Sequence, residues 1–249
     1  MNNVNHPYGN KKIAFIKFCK NQIKLFISFI LSFFFKFSKN DQIIISSAVH
    51  CPWLEDKEFK KFYHSVNKYT LLDEPRAYTL WSFSKNLKDK KGDILDIGCL
   101  LGGAGFIMAK ANNKGQTLLF DTFEGFKKND GLHKKNIFYF NNVGFLKKKI
   151  FYLKLKRTKV FKAYFPENLN VKIKNIKLCH IDVNTHNETK RVFNYVKNRL
   201  IKNGIIVFDD YGIWGVDGVK KFINIIEKKY SKQFIFIKNY MGQCILIKK

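Results

Sequence analysis

The sequence predicts an α/β fold built on an open, mostly parallel sheet, and three observations support that prediction. Residues 92–105, GDILDIGCLLGGAG, combine a buried strand with a glycine-rich turn and the start of a helix. Residues 204–212, GIIVFDDYG, form an apolar strand that ends on two adjacent carboxylates. Around both segments, short apolar runs alternate with helical patterns, as in a parallel sheet. Because such sheets bind ligands at the carboxyl ends of their strands, an enzyme is the leading hypothesis.

Seven strands and five helices follow from this alternation. The predicted strands cover residues 94–97, 117–121, 159–165, 176–183, 205–209, 234–239 and 244–247. The predicted helices cover residues 54–69, 76–87, 104–111, 189–200 and 216–229. Met241-Gly242 marks a hairpin between the last two strands, which would add an antiparallel strand at the edge of the sheet. Residues 125–151 are rich in Lys and Asn and are expected to form a loop or lid.

The chain has 249 residues and a formal net charge of +27, which would suit a polyanionic partner. Only four of its 46 basic residues are Arg, the side chain that base readout and bidentate phosphate contacts favour. Abundant Lys, Asn, Ile and Phe instead indicate an AT-rich genome, and attraction to an acidic surface is the second interpretation. Nucleic-acid binding is the least favoured of the three.

The cysteine pattern indicates a reducing compartment. Five cysteines lie far apart in the sequence and form no CxxC pair. Their odd number and wide spacing argue against a disulfide framework and against a zinc site. We therefore expect a cytoplasmic protein.

Residues 1–40 form a basic, Phe-rich segment, and residues 41–249 are expected to form the catalytic domain. Within the segment, residues 11–39 mix Lys with Phe, Ile and Leu. The longest uncharged run, residues 25–35, is shorter than the about 20 apolar residues that a membrane span needs. Lysines on one side and aromatic residues on the other suit a helix lying on an anionic membrane. Packing on the domain, a contact in a homo-oligomer and a signal-anchor are the alternatives.

The glycine-rich turn predicts a nucleoside-type cofactor. Its spacing, from Gly98 to Gly102 and Gly103, is neither a dinucleotide-binding GxGxxG nor a P-loop. Asp96 lies on the strand before the turn and suits a ligand with an ammonium group. Asp121 ends the next strand, where a carboxylate can bind ribose hydroxyls. Together they indicate S-adenosylmethionine, a cationic amino acid joined to a nucleoside; the alternative is that Asp121 only caps the segment after it.

Three aspartates predict a metal site. Asp182 follows the fourth predicted strand, and Asp209 and Asp210 end the fifth. Sequential strands usually lie side by side, so the three carboxylates would meet in one cleft. Their mutual repulsion raises their pKa values, and a hard divalent cation such as Mg²⁺ would remove it. The alternative for each aspartate is a helix cap or a loop position.

These segments carry a resemblance to a known family. GDILDIGCLLGGAG, LLFDTFEGF, HIDVNTHNETK, GIIVFDDYG and the downstream GVKKFI together resemble the macrocin-type sugar O-methyltransferases. The resemblance covers roughly residues 69–249. It implies the Rossmann-like class I methyltransferase fold, a mostly parallel seven-stranded sheet with a C-terminal antiparallel hairpin, here with an N-terminal helical leader.

The resemblance also implies roles for the site residues. The three aspartates would hold Mg²⁺, which orients two neighbouring sugar hydroxyls. S-adenosylmethionine would lie against a set of six residues, in which Glu124 belongs to the FEG segment beside the cleft. The set consists of Asp96, Gly98, Gly102, Gly103, Asp121 and Glu124.

One departure from the family concerns the catalytic base. Family members often carry DVD after the fourth strand, and the second Asp is a proposed general base, whereas this chain has Asn184. A neutral amide cannot accept the proton. His186 is one replacement, because its ordinary pKa lies near neutrality. Metal acidification of the hydroxyl, with loss of the proton to water, is another. Loss of activity is a third alternative. His180 and Glu124 are the least favoured bases, and strand alternation is taken to point His180 away from the neighbours of Asp182.

The sequence thus predicts Mg²⁺-dependent methylation of a sugar hydroxyl in a surface glycan or its precursor. A methyltransferase for small phenolic metabolites is the competing enzyme. A catalytically degenerate binding partner of glycan-assembly enzymes is an alternative of another class. A nucleic-acid methyltransferase is disfavoured because no NPPY- or DPPY-type motif follows the fourth strand.

Overall fold

The computed structural model describes residues 11–35, 43, 45, 50–126, 134–213 and 217–249. The chain divides into two compact units, Met1–Pro52 and Trp53–Lys249. In the first unit, helix α1 spans Lys11–Phe35. Residues 36–39 of the basic segment, residues 127–133 of the expected lid and residue 216 of the last predicted helix lie outside the described residues. No helix among the described residues is long and apolar enough to cross a membrane.

The second unit contains a seven-stranded sheet with the order β3-β2-β1-β4-β5-β7-β6. β7 alone runs against the other strands, because it pairs antiparallel with both β5 and β6. The antiparallel strand therefore lies inside the sheet, and β6 forms the edge. The strands are β1 Asp93–Ile97, β2 Thr117–Asp121, β3 Thr158–Lys162, β4 Ile176–Ile181, β5 Leu200–Phe208, β6 Phe234–Lys238 and β7 Cys244–Lys248.

Helices cover both faces of the sheet. They are α2 Pro52–Glu55, α3 Lys57–Val66, α4 Glu74–Asn86, α5 Gly103–Ala111, α6 Val143–Tyr152, α7 His186–Val196 and α8 Asp217–Tyr230, with a short 3₁₀ helix at Asn67–Tyr69. Alternate residues of each strand face opposite sides, and Ile94 of β1 and Leu178 of β4 pack in one core with α3, α4 and α5. Their neighbours Leu95 and Cys179 pack in a second core with α7 and α8. We call these the α4 face and the α7 face.

Local sequence explains where the helices of the α4 face begin. Asp56 caps α3 by accepting from Phe59 N, and its second oxygen accepts from Trp81 Nε1 of α4 (2.9 Å). Asp73 caps α4 by accepting from Arg76 N (3.0 Å). α4 therefore begins two residues earlier than predicted, and its first turn is fixed beside the carboxyl end of the sheet.

Two sequence predictions are wrong in this unit. α6 lies inside the stretch that was expected to be irregular, because Leu146 supplies a buried contact although its neighbours are mostly Lys and Phe. β5 begins at Leu200, and α7 ends at Val196. Leu200 pairs with Ile176 ahead of a bulge, so polar residues 202–203 interrupt the apolar pattern inside a single strand.

Candidate active site

Four polar side chains lie together at the carboxyl end of the α4 face. Asp96 of β1 is the direct register partner of His180 of β4. Asp182 lies two residues beyond His180, and Asp209 lies two residues beyond Val207, which is the β5 partner of His180. Residues two apart on a strand point to the same face. The sheet therefore directs all four side chains to one place.

The deepest contact is the pair between Asp96 and His180. Asp96 Oδ1 and His180 Nδ1 are 2.8 Å apart, and the two side chains are 0% and 1% exposed. Burial lowers the pKa of His180, but the hydrogen bond to Asp96 and the nearby carboxylates outweigh it and raise the pKa to about 9. The other atoms of the pair, Asp96 Oδ2 and His180 Nε2, have no hydrogen-bond partner in the described part of the chain.

His180 also lies within reach of the aspartate cluster, which corrects the expectation that it points away. One ligand atom each of His180, Asp182 and Asp209 lie within 4.8 Å of one another. The expectation misapplied strand alternation, since residues 180 and 182 share a face.

Arg76 of α4 also contacts the cluster, and no local sequence pattern predicts this contact. Its Nη1 donates to Asp209 Oδ2 at 2.8 Å, with the two side chains 14% and 2% exposed. Burial opposes the charge of the guanidinium, but Asp209 and the neighbouring carboxylates raise the pKa of Arg76. Asp209 Oδ1 has no hydrogen-bond partner among the described residues. One oxygen of Asp209 is thus held by the protein, and the other remains available to a ligand.

Asp182, Asn184 and Asp210 form the upper part of the cluster. Burial first, and then the charges of Asp210 and Asp209, raise the pKa of Asp182 well above its usual range. Burial and the charge of Asp209 raise the pKa of Asp210 to about 6. In the amide orientation that its neighbours require, the side-chain nitrogen of Asn184 donates to Asp210 Oδ2 (2.7 Å) and to Asp182 Oδ1 (3.1 Å). Asn184 therefore bridges two carboxylates as a donor.

His186 has a different environment. It is the first residue of α7, where Thr185 caps the helix. Its ring packs edge-on against Phe222 of α8, with centroids 5.7 Å apart, and its Nδ1 lies 3.3 Å from Asn187 Oδ1. Within the described parts of the chain, no contact joins its ring to the aspartate cluster. The structure therefore does not bring His186 together with the carboxylates that it was expected to serve.

The glycine-rich turn is shaped by close backbone approaches. A Cβ at Gly98 would lie 1.8 Å from the carbonyl oxygen of Asp182, so only glycine fits between β1 and the end of β4. A Cβ at Gly103 would lie 2.5 Å from the carbonyl oxygen of Tyr69. Gly102 precedes α5 with φ 83°. The backbone of Asp182 therefore contacts one part of the turn, and the backbone of Tyr69, which precedes α4, contacts another.

Asp121 and Glu124 flank this turn. Asp121 Oδ2 accepts from Leu100 N (2.8 Å), and its Oδ1 accepts from Phe123 N (2.7 Å). Burial raises the pKa of Asp121. The carboxylate therefore fastens the glycine-rich turn to the loop after β2, which includes the capping role considered as the alternative. Glu124 is exposed and pairs with Lys162 at 3.1 Å.

The cluster fits a cation. Three carboxylates lie in a small volume, two of them carry raised pKa values, and the buried Asp209 Oδ1 and His180 Nε2 point to no protein partner among the described residues. Oxygen donors of this kind suit a divalent ion. The turn beside it fits a nucleoside, since Asp121 holds two backbone amides and leaves lone pairs on each oxygen for further donors.

The chain is similar to known proteins in one family model and in its fold. Residues 95–211 match the model of a family described as a methyltransferase domain, and no curated protein sequence matches the chain. The O-methyltransferase NovP shares 13% identity and a TM-score of 0.62, over 73% of this chain and 82% of that protein. The calicheamicin methyltransferase CalS11 shares 14% identity and a TM-score of 0.54, over 84% and 98%.

An O-methyltransferase from Bacillus cereus, solved in complex with SAH, shares 14% identity and a TM-score of 0.54, over 82% of this chain and 93% of that protein. At these identities the likeness shows the fold, and the expected class I methyltransferase fold is confirmed. The match over residues 95–211 is to a methyltransferase domain and supports methyl transfer, and the acceptor oxygen stays a prediction.

Proposed function

We propose that this protein transfers a methyl group from S-adenosylmethionine to a sugar hydroxyl with the help of a bound divalent cation. The observation that carries the proposal is the position of the carboxylate cluster. It lies beside the glycine-rich turn of a class I methyltransferase fold, and Gly98 directly adjoins the backbone of Asp182. A methyl donor over the turn and an acceptor over the cluster would therefore be neighbours.

The residues at the turn would position the donor. S-adenosylmethionine supplies an electrophilic methyl group on a sulfonium. Asp121, held by Leu100 N and Phe123 N, would accept from the ribose hydroxyls. Asp96 contributes negative charge beneath the turn, where a Cβ at Gly105 would lie 2.8 Å from its Oδ2. Glu124, at the rim, would contact the outer part of the nucleoside.

The cluster would position the acceptor. Asp182, Asp209 and Asp210 would hold Mg²⁺, which orients the acceptor hydroxyl and lowers its pKa. Arg76 fixes one oxygen of Asp209, and Asn184 holds Asp182 and Asp210. These contacts fix the carboxylates in advance, so little reorganisation is needed during the reaction.

The proton on the acceptor oxygen would leave to solvent. Asn184 donates to two carboxylates and has no basic atom to accept a proton. His186 packs on Phe222, so its use as a base would require the start of α7 to move. We therefore favour water as the proton acceptor over the histidine.

A sugar is proposed as the acceptor because the GDILDIGCLLGGAG, LLFDTFEGF, HIDVNTHNETK and GIIVFDDYG segments resemble those of the macrocin-type enzymes. A surface glycan or its precursor would be the substrate. A small phenolic acceptor remains the competing reaction, and a degenerate partner of glycan-assembly enzymes is the non-catalytic alternative.

Cofactor binding and methyl transfer test the proposal together. Calorimetry with S-adenosylhomocysteine should give one site per chain, with NADH as the negative control. Transfer of labelled methyl groups should then require a divalent cation and a sugar or nucleotide-sugar acceptor. Binding of NADH instead would overturn the cofactor, and transfer only to catechols would favour the phenolic reaction.

We further propose that α1 attaches the cytoplasmic enzyme to an anionic membrane. Lys17, Lys20 and Lys24 recur at helical spacing, while Phe15, Phe18, Phe26, Phe29 and Phe33 are exposed. Lysines near a membrane attract anionic headgroups, and exposed aromatic residues can insert below them. Flotation with phosphatidylserine vesicles should recover the full chain but not its Lys17→Glu/Lys20→Glu/Lys24→Glu variant. Equal recovery would favour packing or oligomer contact.

A further inference from the structure

The aspartate cluster contains a nitrogen atom that neither the fold nor the proposed acceptor chemistry explains. His180 is 1% exposed, and its Nε2 has no hydrogen-bond partner among the described residues. Buried polar atoms normally have a partner, because an unsatisfied one costs about 1–3 kcal/mol. Asp209 Oδ1, in a side chain 2% exposed, is in the same situation. Two unsatisfied atoms in one buried cluster indicate a ligand that binds both.

The contact on the other side of the imidazole fits the same ligand. His180 Nδ1 lies 2.8 Å from Asp96 Oδ1, so the ring can donate there and leave Nε2 for a metal ion, which would displace any proton on that atom. A histidine that binds a metal through one nitrogen usually donates its other N–H to a carboxylate or carbonyl. Asp96 holds His180 in this arrangement at the bottom of the site.

The distances permit coordination with small side-chain rotations. One ring nitrogen of His180 and one carboxylate oxygen each of Asp182 and Asp209 lie within 4.8 Å of one another. Metal–ligand bonds of about 2.1 Å separate opposite ligand atoms by roughly 4.2 Å. Arg76 does not occupy the required oxygen, because it donates to Asp209 Oδ2 and leaves Oδ1 to the ligand.

We infer that His180 Nε2 binds the metal ion together with Asp182 and Asp209, with Asp96 as the positioning partner of the histidine. The inference deepens the proposed function, on which its catalytic meaning rests. An imidazole nitrogen favours a first-row transition ion over Mg²⁺, which takes oxygen ligands. The site is therefore a mixed nitrogen–oxygen site that selects an ion such as Mn²⁺ over Mg²⁺.

Electron paramagnetic resonance of Mn²⁺ added to the full-length protein tests this without a variant. The spin-echo modulation should show a directly bound ¹⁴N nucleus. Bound Mn²⁺ should be displaced by Mg²⁺ only when the Mg²⁺ concentration exceeds that of Mn²⁺ by at least about tenfold. Bound Mn²⁺ with no nitrogen signal would overturn the inference.

Two substitutions test whether the ¹⁴N signal comes from His180. His180→Gln should remove the ¹⁴N signal and reduce the preference for Mn²⁺ toward parity with Mg²⁺. Asp96→Asn should keep the signal and weaken Mn²⁺ binding by about 10- to 100-fold, as expected for the loss of an orienting carboxylate. His186→Gln is the matched control, and loss of the signal in that variant instead would overturn the inference.

The outcomes separate the inference from the proposed function. If Asp209→Asn abolishes Mn²⁺ binding while His180→Gln leaves the affinity and spectrum unchanged, the carboxylate site stands and the histidine ligand is wrong. If wild-type protein binds S-adenosylhomocysteine but no divalent ion, the metal fails while the cofactor assignment survives. If the nitrogen signal is present but no methyl transfer occurs, the metal site stands without the proposed reaction.

Discussion

Lys177 and His180 lie three residues apart on β4, both are almost fully buried, and their environments are opposite. Lys177 Nζ, at the amino end of the strand, donates to acceptors at four residues within 3.2 Å: Lys88 O, Lys90 O, Asn112 Oδ1 and Lys114 O. His180 Nε2, at the carboxyl end, has no partner in the described chain. The buried ammonium of Lys177, which supports the fold, thus has its hydrogen bonds made within the protein. The buried Nε2 of His180, at the candidate site, has no such bond among the described residues.

The two ends of the sheet differ in the same way. Burial lowers the pKa of Lys177 to about 8, which leaves the ammonium form in place at neutral pH. That ammonium fastens the connections after α4 and α5. At the other end, carboxylates with raised pKa values lie side by side with Arg76 as the nearby cation. The amino end of the sheet is thus stabilised by the hydrogen bonds of Lys177. At the carboxyl end, neighbouring carboxylates repel one another.

The largest expected effect is at the carboxyl end. Asp209→Asn keeps the shape of the side chain and the hydrogen bond to Arg76, but removes a metal-binding charge. Methyl transfer should fall by about 100-fold or more, roughly 3 kcal/mol, because transition-state stabilisation by the metal is lost. S-adenosylhomocysteine binding, measured by calorimetry, should change little. Full transfer activity in the presence of a chelator would contradict the metal site.

The second expected effect is at the amino end. Lys177→Met removes the buried ammonium and leaves its four acceptors without their donor, so the free energy of unfolding should fall by about 3 kcal/mol. Urea denaturation measures it. Lys174→Met, at an exposed position two residues before β4, is the control and should change the free energy of unfolding by less than about 0.5 kcal/mol. Similar free energies of unfolding for the two variants would contradict a structural role for Lys177.

A smaller effect is expected at Arg76. Arg76→Lys keeps the charge but cannot reproduce the contacts to Asp209, Asp73 and the carbonyl of Leu71. Methyl transfer should fall about tenfold, which corresponds to roughly 1.4 kcal/mol. Arg191→Lys, which changes contacts to Phe165 and Glu167 instead, should leave transfer unchanged. An equal loss in both variants would indicate a general effect of arginine removal.

The smallest effect on turnover is expected at Asn184. Asn184→Asp should preserve or slightly raise methyl transfer when Mg²⁺ is present, because it restores an acceptor beside the bound hydroxyl. Without metal it should lower the free energy of unfolding by about 1 kcal/mol, since the donor that bridges Asp182 and Asp210 is lost. His186→Ala should be nearly silent; loss of most activity there would restore His186 as the base.

The sequence was sufficient for features set by local patterns. Apolar runs predicted all seven strands. Because parallel strands end at the same edge of a sheet, their order also predicted that Asp182 and Asp209 lie close together. α6 was missed because a single buried leucine, Leu146, gives a weak pattern among exposed lysines. The start of β5 was missed because a bulge breaks its periodicity.

The remaining site contacts depend on tertiary structure. Arg76 precedes Asp209 by 133 residues, and only the packing of α4 on the sheet brings them together. Lys177 lies in an apolar run, and its burial depends on acceptors from two connections, those after α4 and after α5. The orientation of His180 needs no tertiary information, since strand alternation itself places residues 180 and 182 on the same face. The prediction that His180 points away was therefore wrong already at the level of the strand.

Metal-induced stabilisation is the most direct test of the contrast between the two ends of β4. Chemical unfolding should be measured with and without Mn²⁺ for wild type, Lys177→Met and Asp209→Asn. At a concentration about 100 times the dissociation constant, Mn²⁺ should raise the free energy of unfolding by about 2.7 kcal/mol. Wild type and Lys177→Met should gain this equally, although the variant starts from a lower value, and Asp209→Asn should gain almost nothing. Equal stabilisation of all three proteins, or none of wild type, would contradict a ligand site at the carboxyl end.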